Sequence, residues 1–330
     1  MLGGILALLS AAAFSLNNAA ARRGVLSGSV LQAMAISVPF GVPFFLLGVM
    51  AFGSLDELWA FSGRELAWLA AAGILHFVLG RYANYRGAKA IGAVLMGPIQ
   101  DLNILVSLIL AVIFLGEKIT PLMGIGIALV VFGPTLVFEG KAKRKARADS
   151  ASSNPAVFKP AYAEGFLFAA LSGLAYGTSP ILVRVALDGA PDIGRGVAGG
   201  LISYIAATLV VGGFLLMPGG YSHVRSMRKT EALWFTLAGL FVGIAQMTRY
   251  MALSVAPVTV VAPIMRLSSI FRIYFSWLIN RQHEQFSASV ILATFVSLVG
   301  AVILGLSADS VAAWLGLSPE AAAYLGRGWP

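Results

Sequence analysis

The sequence has no cysteine among its 330 residues, which excludes disulfides, thiol catalysis and thiolate metal sites. Charge is scarce too: Asp, Glu, Lys and Arg make up 11% of the chain. Soluble-enzyme patterns are missing as well. His283-Glu284 is not followed by a second His at zincin spacing, and no P-loop occurs. Tyr85 and Lys89 have the Tyr-x-x-x-Lys spacing of short-chain dehydrogenases, but no Gly-rich strand-to-helix turn precedes them. The sequence therefore predicts no enzyme, no cofactor and no metal.

What the chain has instead is apolar side chain: 58% of its residues are hydrophobic and its mean hydropathy is +0.86. A soluble domain does not need that much. Apolar runs of about 20 residues, matching the thickness of a hydrocarbon core, recur along it. Ten are read: 2–21, 30–52, 66–86, 91–115, 120–138, 163–185, 196–217, 232–253, 257–279 and 288–306. No Lys or Arg precedes the first, and Arg22 and Arg23 follow it, so it is expected to be a retained span rather than a signal peptide. The expected fold is all-α and integral to the membrane, with ten transmembrane helices. Gly173–Gly177 and Gly239–Gly243 have the Gly-x-x-x-Gly spacing that lets helices approach closely in lipid.

The one long polar interruption, 139–162, divides the chain into segments 1–138 and 163–306, with a short tail over 307–330. Each segment holds five runs, and an odd number forces the second to enter from the opposite side, giving two inverted five-helix repeats. The interruption carries Lys141, Lys143, Arg144, Lys145, Arg147 and Lys159, which contribute to a net charge of +9. A short basic loop beside membrane helices marks topology or touches anionic lipid, so membrane lipid is an expected partner and nucleic acid is not. Loops after odd-numbered runs hold 14 Lys and Arg against 4 on the other side, which by charge alone places the termini outside. In the tail, Ala312–Leu317 and a Ser318-Pro319-Glu320 start could form an interfacial helix.

The two segments also repeat residue by residue. At a shift of 162, Ser10 meets Ser172, Ala13 meets Ala175, Phe14 meets Tyr176 and Arg22 meets Arg184. At 165, Tyr85 meets Tyr250, Pro98 meets Pro263 and Asp101 meets Arg266. At 167, Glu117 meets Glu284 and Gly133 meets Gly300. Asp101 and Arg266 thus stand on matching lines near the middle of two spans, where an ionised group is costly and marks a candidate substrate pathway. Asp101 would titrate or hold a cation while Arg266 engages an anionic group; the alternative is a structural ion pair between the two.

A second polar face runs beside them. Gln100, Asn103 and Ser107 follow i, i+3, i+7 spacing, with Ser268 and Arg272 at matching positions in the other half; the helical angle puts Asp101 to one side of this stripe. These side chains either line a cavity or join helices. Pro98 and Pro263 each free a carbonyl one turn back, near Val94 and Thr259, creating a binding or flexing point or a packing bend. Spans three and eight add Arg81, Asn84 and Tyr85 against Gln246, Arg249 and Tyr250; spans one and six add Asn17 and Asn18 against Thr178, Ser179 and Pro180. They form candidate vestibules on either side of a central site, unless Arg81 and Arg249 snorkel to the interface. His76, at its span centre, is a candidate proton relay or an inter-helix hydrogen-bond partner.

The order Tyr85, Pro98, Leu115-Gly116-Glu117, Gly126, Gly133 resembles one repeat of the EamA family in the drug/metabolite transporter superfamily. Tyr250, Met251, Ala252, Leu253, Pro263, Glu284 and Gly300 resemble a second copy. Phe14-Ser15 stands where members usually carry Trp-Gly, and Arg281-Gln282-His283-Glu284 replaces Leu-Gly-Glu in the second copy. The resemblance covers roughly 3–306. It implies a ten-helix basket in the bacterial inner membrane, alternating access, both termini in the cytoplasm and a small-metabolite substrate, often moved with proton coupling. Intramembrane arginines outnumber acids here, which suggests a substrate bearing a carboxylate, a phosphate or a zwitterion, and export is the expected direction. A lipid-headgroup flippase and a non-transporting scaffold are the alternatives, and the assembly is expected to be a monomer or homodimer.

Overall fold

The computed structural model describes residues 2–53, 55–115, 119–132, 160–187, 192–255, 264–304 and 306–328. They form helices, with no β-strand among them. The first helix, α1 (Leu2–Val25), continues past the expected end and carries Arg22 into the protein interior. Ser29 starts α2 (Val30–Ser37) with a reciprocal capping box to Gln32. Pro39, which has no N–H to donate, stands in the turn before α3 (Gly41–Phe52).

A second capping box, Ser62 with Glu65, opens α4 (Gly63–Gly73). That helix widens into a π-helical stretch, Ile74–Gly80, and resumes as α5 (Arg81–Ile91). Gly92, at φ +84°, ends it in a conformation that side chains with a Cβ rarely adopt. The chain re-enters as α6 (Ala93–Gln100) and α7 (Asn103–Leu115), followed by the shorter α8 (Pro121–Phe132).

The second segment contains α9 (Tyr162–Leu187), α10 (Ile193–Leu216), the short α11 (Gly220–Arg225) and α12 (Lys229–Val255). It continues with α13 (Ser268–Asn280) and α14 (Ala288–Leu304). The tail forms α15 (Ala308–Leu315), capped by Ser307, and α16 (Pro319–Gly326), capped by Ser318. Among the described residues seven spans are long and apolar enough to cross a membrane, and an eighth candidate joins α14 to α15 across a 113° bend. The ten-run expectation also counts α8 and α13; these are shorter, and the remainder of each run lies partly or wholly outside the described residues.

Large apolar side chains face outward all round this body, including Leu47, Met50, Phe114, Leu209 and Leu216, the last 89% exposed. A surface this apolar suits lipid contact. Inside, the halves interlock: α1 lies along α12 and α13, α4 and α5 lie along α9, and α3 and α4 lie along α10. Small residues allow this approach. A Cβ on Gly177 of α9 would stand 2.5 Å from the Asn103 carbonyl, so only glycine lets α9 lie against the start of α7.

Candidate functional site

The span carrying Asp101 is broken at Asp101-Leu102, between α6 and α7, and the span carrying Arg266 is broken at Arg266-Leu267 just before α13. The break is duplicated bond for bond. Leu102 N–H donates to the Ile99 carbonyl at 3.2 Å, and Leu267 to Ile264 at 3.0 Å. Ile104 reaches Asp101 at 3.3 Å and Leu105 reaches Leu102 at 3.0 Å; Ser269 and Ile270 repeat those contacts to Arg266 and Leu267, both at 3.0 Å. Pro98 sits inside α6, one turn before the first break. Pro263 and Thr259 lie outside the described residues, as do Glu117, Gly133 and the basic side chains of the linker.

The alternative of a structural ion pair is not seen: no salt bridge joins Asp101 to Arg266 among the described residues. Asp101, 6% exposed, instead accepts a hydrogen bond from Ser269 Oγ at 3.1 Å. Arg266 is half-buried, with Asp101, Arg249 and Arg272 all within electrostatic range. Arg272 is 8% exposed, and its buried Nε and Nη1 have no hydrogen-bond partner among the described residues. Gly97 makes room for this guanidinium, since a Cβ there would stand 2.7 Å from Nη1. Arg249 and Arg266 make no hydrogen bond or ion pair with the described residues. The arrangement is three guanidiniums and one carboxylate around twin helix breaks. A buried charge left unpaired costs several kcal/mol, and that cost falls on Arg272.

The neighbouring stripe divides from Asp101 as the helical angle requires. Gln100 donates to Asn84 Oδ1 at 3.1 Å and Ser172 Oγ at 2.7 Å, while Ser107 donates to the Gly177 carbonyl at 2.7 Å. This face therefore binds α6 and α7 to α5 and α9, while Asp101 looks toward α13. Asn84 also donates to Asn18 Oδ1 at 3.0 Å, and the Tyr85 hydroxyl lies 3.2 Å from Ser37 Oγ and 3.5 Å from Asn17 Oδ1. The Asn103 carbonyl packs against Gly177 and the Ser268 carbonyl accepts from Ser15 at 2.7 Å. Thr178 turns back to its own helix, bonding the Leu174 carbonyl.

His76 lies in the π-helical stretch, a local widening frequent at functional sites. Its Nδ1 is 2.8 Å from Ser179 Oγ, its Nε2 is 3.2 Å from the Gln246 amide nitrogen, and its ring packs on Tyr176 at 4.5 Å. Arg249 and Arg81 are both within electrostatic range of it. Arg81 does not snorkel. It is 3% exposed, donates to the Ser37 carbonyl at 2.8 Å and Tyr204 Oη at 3.1 Å, and lies over the Phe77 and Tyr204 rings. Tyr250 meets Phe45 edge-on. Ser269, Tyr176 and Tyr204 are the partners that sequence reasoning missed. Ser269 was open to discovery, lying three residues from both Arg266 and Arg272; Tyr176 stood out only as the repeat match of Phe14, and nothing local marks Tyr204.

A second polar cluster closes the end of the protein near 280–288. Glu284 accepts from the Ala93 and Val94 amides at 2.8 and 3.1 Å, capping α6, and lies 3.5 Å from Arg22 Nε. Arg22 also donates to the Lys89 and His283 carbonyls. It is thus a buried structural charge, not the loop charge that the topology count assumed. Burial pushes the Glu284 carboxyl up to about 7, against the opposing pull of Arg22, the two amides and Arg272. Burial, with Arg23 and Arg22 beside it, holds His283 below its ordinary range.

The EamA-like transporter family's sequence profile matches the chain twice, over residues 1–138 and 163–306. The chain belongs to this family. It is accordingly a multi-pass integral membrane protein and a membrane transporter of the drug/metabolite transporter superfamily. A solved protein crystal structure shares the fold at a TM-score of 0.57 and 18% identity, over 91% of this chain and 96% of that one. No curated protein matches the sequence.

Proposed function

We propose that this EamA-like transporter is a secondary transporter that exports a small anionic or zwitterionic metabolite across the bacterial inner membrane by alternating access. Its ten spans form two inverted five-helix repeats joined by the basic linker, with the substrate held between the helix breaks at Asp101 and Arg266. The observation that carries this is the trio Arg249, Arg266 and Arg272, without hydrogen-bond or ion-pair partners among the described residues, beside one buried carboxylate. A structural cluster would satisfy its charges internally, as Arg81 and Arg22 do. Charged groups at midplane helix discontinuities are the common construction of substrate sites in secondary transporters.

The test is charge displacement from proteoliposomes on a solid-supported membrane, challenged in turn with amino acids, carboxylic acids and phosphate. At least one class should give a transient that Arg266→Gln abolishes. A transient of parental size in the variant would place transport elsewhere. Coupling to protons through Asp101 belongs to the same proposal: Asp101→Asn should remove the pH dependence of that transient, and an unchanged pH profile would end the assignment.

A further inference from the structure

The site's charge narrows the substrate class, an inference that rests on the transport reading above. Arg266 has Arg249, Arg272 and Asp101 within electrostatic range, so the described cluster sums to a formal charge of +2. Nearby charges do not offset this surplus. Arg81 is positive and spends its donors on Ser37 and Tyr204, and Glu284, within range of Arg272, is held by Arg22 and two backbone amides.

A zwitterion would leave the surplus as it is, and a monocarboxylate would remove half of it. Only a substrate with two negative charges neutralises it in a site where water screens poorly. Geometry points the same way. Arg266 stands at the break, and Arg272 is six residues further on, roughly 9 Å along a helix axis. Arg272 offers two orphaned nitrogens, a fork suited to a carboxylate or phosphate. Ser276 and Asn280 continue its face at i+4 and i+8, both buried, with Ser276 Oγ and Asn280 Oδ1 also lacking partners among the described residues.

We propose that this site takes a dianion, either a dicarboxylate or a phosphomonoester, with one acidic group at Arg266 and Arg249 and the other at Arg272. Thermal unfolding of the purified full-length chain tests it, using succinate, glycerol phosphate, lactate and serine as probes at equal ionic strength. Succinate or glycerol phosphate should raise the midpoint more than lactate or serine does, and which of the two prevails identifies the acidic group. Arg272→Gln should weaken that ligand roughly tenfold or more, with Arg272→Lys intermediate because it keeps charge and loses the fork.

If lactate or serine stabilises best and depends on Arg272, the dianion class is wrong while the transport site stands. If a dianion binds equally well to parent and both variants, this inference and the site assignment fail together. If no probe shifts the midpoint, the dianion inference falls. Should Arg272→Gln not fold, the ranking of probes on the parent chain and the response of Arg272→Lys still decide.

Discussion

Arg81 and Arg249 lie in matching spans of the two repeats, yet their surroundings could hardly differ more. Arg81 is enclosed by the Ser37 carbonyl, the Tyr204 hydroxyl and two aromatic rings. Arg249 is half-buried, makes no hydrogen bond or ion pair with the described residues, and stands within range of both His76 and Arg266. At the 165-residue shift Arg81 meets Gln246 and Arg249 meets Asn84, so the two cations stand at different positions of the repeat; one is part of the scaffold while the other makes no such bonds among the described residues. A buried arginine is therefore not evidence of a ligand until its donors have been counted.

The sharpest way to break this contrast is Arg81→Gln. It would leave the Ser37 carbonyl and the Tyr204 hydroxyl without their donor deep in the bundle, at a cost of about 1–3 kcal/mol for each. Thermal unfolding in detergent should show a large drop in midpoint, and a drop no larger than that of Arg249→Gln would dissolve the distinction. Glu284→Gln asks the same question of a tied carboxylate. Because folding raises this group from 4.5 to about 7, the folded chain keeps a proton that the unfolded chain has released. Its stabilising contribution is complete below the lower value, declines as pH rises toward 7 and is level above. The stability difference between parent and Glu284→Gln should therefore change across that window and stay constant above it; a difference independent of pH would show that the carboxyl is not shifted. The smallest effect belongs to Arg249→Gln, whose stability should lie within about 1 kcal/mol of the parent or above it, while the response to acidic ligands is lost.

The sequence was informative where duplication and cost coincide. Asp101 and Arg266 stood out because charge at mid-span is expensive and they shared a line, and both proved to mark a helix break. The partner of each was less visible. The apparent pairing of Asp101 with Arg266 gave way to Ser269, since matched register does not fix which way a side chain leaves a broken helix. Arg22 looked like a flanking loop charge because the apolar run stops at Ala21, although the helix continues to Val25 and buries it. Arg81 looked like an interfacial cation because Tyr204 and Ser37, which enclose it, are 123 and 44 residues away in the chain. The π-helical widening at His76 left no periodic trace, since one extra residue in a turn is lost in an apolar run.

The cap that Glu284 places on α6 also orders events during synthesis. Its bond to the Ala93 amide spans 191 residues. At roughly 5–20 residues per second, the ribosome delivers this carboxylate some 10–40 s after α6 has entered the membrane. Through that interval the start of α6 has two amides without their final acceptor, and Arg22 is without its counter-ion. The first half is thus an unfinished object for much of its early life, and the last third of the chain completes it.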